Sequence, residues 1–212
     1  MTWWVRLGDV RETAAGTEPP GYRLVARGVL NLGLLSVLNL AIIPPAWLGF
    51  ALLTAPRGGP LDVRADGFAL HFGPLDVALV LATALLVLPV LHELAHGLVA
   101  ALCGGRPVFG VGPGIAFCHM REWMARGAYA AIVVAPLLLL SVGGVLAMPA
   151  LPRLLRGPAL ALLVANAAGA VGDLALLAQL ARLPRGAVIA DTRHGFEAYA
   201  PDGAVVGEKV EG

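Results

Sequence analysis

His92, Glu93 and His96 stand in the pattern His-Glu-x-x-His within Val90-Leu91-His92-Glu93-Leu94-Ala95-His96-Gly97. Positions four apart share one face of a helix, so both imidazoles can ligate one metal ion. Glu93 lies beside them, placed to act as general base toward a water on that metal. On an amphipathic surface helix the same three residues would be no more than a polar face. Here Leu85, Leu86, Val87, Leu88, Val90, Leu91, Leu94, Leu98 and Val99 surround them. The apolar run from about residue 75 to residue 103 is long enough to cross a bilayer, and ionisable side chains inside such a run are costly and mark function.

A catalytic zinc takes three protein ligands and keeps one position for water. Asp173, in Asn166-Ala167-Ala168-Gly169-Ala170-Val171-Gly172-Asp173-Leu174, is the other acid deep in an apolar run. If both runs point the same way, His96 and Asp173 stand roughly 10 Å and 12 Å from the same membrane boundary at the helical rise per residue. Asn166, Gly169, Ala170 and Asp173 fall on one stripe of a helix, and small residues there let a neighbouring backbone come close. Asp173 is therefore the candidate third ligand. Asn166 is a candidate for holding a substrate backbone, or else a packing residue.

These residues need a scaffold, and composition says which kind. The chain of 212 residues is 58% hydrophobic and 14% charged, with a mean hydropathy of +0.79. A soluble domain is nearer half apolar and a quarter charged, so an all-α integral membrane protein is expected. Net charge is +1, which gives no case for nucleic acid. Two cysteines, Cys103 and Cys118, are too few for a disulfide framework. Residues 1–27 form a polar head, too long and polar for the start of a signal peptide; Trp3, Trp4 and Val5 there suit a short strand or a boundary anchor. Four spans follow, at 28–54, 75–103, 128–150 and 158–181, making a membrane domain over 28–181. Pro44-Pro45 predicts a kink or break in the first, and Pro89 a kink just before His92. Residues 182–212 form a polar tail with a possible hairpin.

Between the spans, residues 61–70 read as a hairpin about Asp66-Gly67, with His71 an ordinary exposed histidine. Residues 151–157 read as a tight basic turn. Residues 107–119 read as two short strands about Gly112-Pro113-Gly114, apolar enough to dip into the bilayer beside protein. The edge of that hairpin is a place where an extended substrate could pair, with Val108, Phe109 and Ile115 as candidate contacts. Cys118-His119 has no second pair nearby to complete a metal site. With four spans, eleven of the fifteen Lys and Arg residues fall on the side of the termini and four (Arg57, Arg64, Arg153, Arg156) on the other. The positive-inside rule then places both termini in the cytoplasm.

His92-Glu93-x-x-His96-Gly97 in one span, an apolar strand-turn-strand after it, and Asn166 with Asp173 in a later span resemble the site-2-protease-like intramembrane zinc metalloproteases. The short form, with four spans and a tail after Leu183-Pro184-Arg185-Gly186, looks most like the bacterial family of short zincin peptidases. The resemblance covers roughly residues 75–200. Site-2 proteases typically carry a proline between Asn and Asp-Gly; Gly169 and Leu174 depart from that pattern here. The resemblance implies one zinc ion held by His92, His96 and Asp173, Glu93 as base, a membrane-protein or peptide substrate, and a bacterial plasma membrane. A catalytically silent protein of the same fold, binding metal or a client helix without cleavage, is the alternative. Two histidines and one aspartate without a polar pathway argue against metal transport.

Overall fold

The computed structural model describes residues 4–6, 16–64, 67–70, 74–112, 115–192 and 195–203; His71, Asp66 and the Pro113-Gly114 turn lie outside them. The chain is mostly helical, and among the described residues four helical stretches are long and apolar enough to cross a membrane: Gly33–Arg57, Pro74–Leu102, Arg126–Ala150 and Arg153–Ala181. Their large apolar side chains point outward. Leu40, Leu85 and Leu86 are each 70% exposed, which an aqueous surface would penalise.

One compact unit holds residues 32–95 and 136–171. Helix α1 (Leu32–Thr54) carries no acidic residue in its first turn and no basic one in its last, and it continues through Pro44 and Pro45 without a break. Strands β3 (Leu61–Arg64) and β4 (Gly67–Leu70) pair antiparallel. Helix α2 (Pro74–Ala82) passes through a π-helical turn, Thr83–Val87, into α3 (Leu88–Leu102). The cause is Pro89. It has no N–H for the carbonyl one turn back, and its ring crowds that carbonyl, so the turn before it widens. Helix α5 (Arg153–Gly169) packs against both α1 and α2, with Leu160, Val164, Ala51 and Leu61 in a shared apolar cluster. The nitrogen of the Asn39 amide, turned toward them, donates to the carbonyls of Leu35 and Ala168, the latter at 2.8 Å.

The expected basic turn at 151–157 is shorter than its composition suggests, because α5 opens at Arg153 and not at 158. Arg156 then lies in its first turns and donates to the carbonyls of Leu151 (3.1 Å) and Gly58 (2.7 Å).

The second unit holds residues 1–31, 96–135 and 172–212, and it corrects the all-α expectation. Strand β1 (Trp4–Arg6) runs parallel to β5 (Pro107–Gly112), which pairs antiparallel with β6 (Ile115–Met120). Strand β2 (Tyr22–Val29), β9 (Gly195–Pro201), β8 (Val188–Thr192) and β7 (Met124–Ala125) form a second sheet in that order. The polar head and the polar tail therefore meet, with Arg27 opposite Glu197. Hydropathy merged Val29 and Leu30 with the first apolar run, which hid the end of β2 and placed the span's start too early.

Nor is the described part of the tail, residues 182–192 and 195–203, a solvated one. Ile189, Ala190, Phe196, Ala198 and Tyr199 are buried. Ile189, Phe196 and Ala198, with the apolar faces of α4 (Arg126–Ala147) and α6 (Val171–Ala181), build the main core together with Met120, Met124, Tyr129, Ile132, Leu176 and Leu180, while Ala190 and Tyr199 form a smaller cluster with Tyr22, Leu24 and Val188.

Candidate metal centre

His92 and His96 sit one turn apart on α3, both half-buried, and each ring is held by its Nδ1 atom. His96 Nδ1 lies 2.8 Å from the carbonyl oxygen of Ile132 on α4. A carbonyl only accepts, so that nitrogen carries the proton. His92 Nδ1 lies 3.2 Å from Asn166 Oδ1 on α5, and Asn166 Nδ2 donates to the Pro136 carbonyl at 3.1 Å. The second bond fixes the orientation of the amide, so His92 also donates from Nδ1. Both rings thereby keep Nε2 as the lone-pair nitrogen, the form in which imidazole binds metal. Asn166 is fully buried. It occupies the place of a group that orients His92.

Asp173 lies in the first turn of α6. The fourth apolar stretch is not one helix: α5 stops at Gly169 and α6 starts at Val171, with Ala170 between them. The expected single stripe from Asn166 to Asp173 is therefore interrupted. The interruption helps the carboxylate, because a helix N-terminus presents unpaired N–H groups and the positive end of the dipole. Asp173 Oδ1 stands 3.7 Å from His96 Nε2.

The ligand atoms of His92, His96 and Asp173 all lie within 4.8 Å of one another. Among the described residues this is the one group of three or more His, Cys, Asp or Glu side chains so arranged. Two ligands about 2.1 Å from a tetrahedral ion stand about 3.4 Å apart. The His96–Asp173 separation is near that spacing and too long for a hydrogen bond. Two imidazoles and one carboxylate suit zinc better than calcium or magnesium, which prefer all-oxygen sets. The donor set thus fits the metal. Glu93, next to His92 on α3, is half-buried.

The hairpin residues are placed otherwise than expected. Val108 is buried, at 5% exposure. The Phe109 ring covers Gly97, so closely that a Cβ there would overlap it. Glycine directly after His96 is thus what lets β5 close on the motif helix. Strand β5 has no free edge, since β1 takes one side and β6 the other. Ile115 begins β6, opposite Gly112; among the described residues β1 and β6 are the outer strands of this sheet.

His119 does not join Cys118 in a metal site. Its Nδ1 lies 3.1 Å from Asp191 Oδ2, and Asp191 also accepts from Met120 N–H (3.0 Å) and Tyr129 Oη–H (2.8 Å). Sequence reading passed over Ile132 and Pro136, whose carbonyls hold the two ring systems. The available signal was Pro136 itself, a proline inside an apolar span.

The family model described as "Putative zincin peptidase" matches residues 85–188, a stretch that contains His92, Glu93, His96, Asn166 and Asp173. No curated protein and no solved structure matches the chain significantly. The match supports a metallopeptidase and zinc as its metal.

Proposed function

We propose that this protein is a membrane-embedded zinc metallopeptidase, similar to the site-2 proteases, that hydrolyses peptide bonds within or beside the bilayer. What carries the reading is the convergence of His92, His96 and Asp173 within 4.8 Å, with both imidazoles already turned to offer Nε2. Bound there, zinc supplies Lewis acidity toward water and the scissile carbonyl. His92, held by Asn166, and His96, held by Ile132, orient the site. Glu93 accepts the proton of the attacking water as its oxygen bonds the carbonyl carbon. It then returns the proton to the amide nitrogen as the C–N bond breaks.

An ionised aspartate at the middle of a span costs about 2.5–3.5 kcal/mol on insertion scales. The N-terminal turn of α6 and a cation at the histidines both offset that cost. A helical substrate hides its carbonyls in hydrogen bonds, so it must be extended before cleavage. With β5 enclosed, the Ile115 end of β6 is the better place for it to pair, since at the other end Asp191 takes the Met120 N–H. The excess of arginines on the side of the termini supports a cytoplasmic location for both.

Glu93→Gln keeps size and hydrogen bonding but removes the base. We expect it to retain zinc while cleavage of an accumulated membrane client falls by about 10²–10⁴-fold. Undiminished cleavage would end this mechanism. A wild type that holds zinc and cleaves no client would favour the silent binder.

A further inference from the structure

Pro136 lies inside α4, four residues after Ile132, and α4 continues through it. In a regular helix the carbonyl of Ile132 would accept from the N–H of residue 136. Proline has none, and its ring crowds the carbonyl one turn back, tilting it away from the helix axis. That carbonyl is the acceptor found 2.8 Å from His96 Nδ1. Ile132 is 3% exposed and Pro136 is among the fully buried side chains. Solvent is thus poorly placed to take the proton of the ring instead.

We propose that Pro136 is a positioning residue for the metal centre. By withholding an N–H it leaves the Ile132 carbonyl to His96, which fixes the tautomer whose Nε2 lone pair faces Asp173. The carbonyl of Pro136 itself does the equivalent for His92, through the Asn166 amide. One proline in α4 thus serves both imidazoles: its missing donor frees an acceptor for one, and its own carbonyl anchors the side chain that holds the other. Alanine at 136 would keep the second contact and lose the first, because its N–H would compete for the Ile132 carbonyl.

The proposal rests on the zinc reading for its consequence, so the test has one arm free of metal. In metal-free protein in lipid nanodiscs, at a pH of about 8 where imidazole is neutral, ¹⁵N NMR of labelled histidine reports the His96 tautomer. Wild type is expected to hold the Nδ1–H form. Pro136→Ala is expected to show an appreciable Nε2–H population, and its zinc affinity, measured against a competing chelator, to fall about tenfold, the lower end for orienting groups around a metal. Pro158→Ala restores an N–H in α5 in the same way and is expected to change neither. A wild-type His96 in the Nε2–H form would overturn the proposal even if the variant failed to fold. So would Pro136→Ala with unchanged tautomer and affinity, or an equal loss in Pro158→Ala. Wild type that binds no zinc would overturn the metal reading and the role of Pro136 together, whereas zinc bound equally by wild type and Pro136→Ala would overturn the role of Pro136 alone.

Discussion

Asp173 and Asp191 are two aspartates of similar exposure, 17% and 13% for their side chains, each beside a histidine. Asp191 is surrounded by donors at hydrogen-bond distance: His119 at 3.1 Å, Met120 N–H at 3.0 Å and Tyr129 Oη–H at 2.8 Å. Asp173 stands back from His96 Nε2 at 3.7 Å, with His92 nearby. The first is what a structural carboxylate looks like, its lone pairs used by fixed donors that tie β6, β8 and α4 together. The second has the spacing of groups that share an ion. The residue pair is the same in both places, and the two separations, 3.7 Å against 3.1 Å, are what set them apart.

The largest contrast should come from truncating each. Asp173→Ala removes one of the three proposed ligands and is expected to weaken zinc binding by at least about a hundredfold, with little loss of thermal stability in the metal-free protein. Asp191→Ala should do the reverse. It strands three buried donors and is expected to cost about 3 kcal/mol of stability, with zinc affinity unchanged within a few-fold. Equal zinc losses in both variants, read by chelator competition, would erase the distinction.

A smaller effect sharpens the picture of the sheet that holds Asp191. Glu197 accepts from Gly16 N–H (2.7 Å), Tyr199 Oη–H (2.7 Å) and Arg27 Nε–H (3.1 Å). Burial alone would raise its pKa, but the hydrogen bonds from Gly16, Tyr199 and Arg27 outweigh it and hold the carboxyl below its ordinary value. Burial first, and then the bond to Glu197, push the Tyr199 hydroxyl up to about 12. The lowered carboxyl contributes stability that is present above the unfolded value of about 4.3 and lost as pH falls through the folded one. The raised phenol contributes stability present below about 10 and lost as pH climbs toward 12. Thermal melts should therefore show a loss in acid that is smaller in Glu197→Gln. An identical acid limb in the variant would remove Glu197 from the account.

How much of this was legible beforehand follows the range of each interaction. The motif on α3 was readable because i and i+4 is a local spacing. Asp173 was readable because an acid deep in an apolar run is conspicuous. The break at Ala170 was not, since nothing in Gly169-Ala170-Val171 forbids helix, and neither was the β2–β9 pairing, whose strands lie about 170 residues apart. The enclosure of β5 escaped notice because β1 comes from the far N-terminal end. The work of Pro136 was half visible: a proline frees a carbonyl in any helix, but only the fold says which donor meets it.

The most direct test of the zinc site is the metal content of purified protein by mass spectrometry, in wild type and in His92→Ala. About one zinc per wild-type chain is expected, with a large loss in the variant. A wild type without zinc, or a variant that keeps it undiminished, would contradict the zinc site.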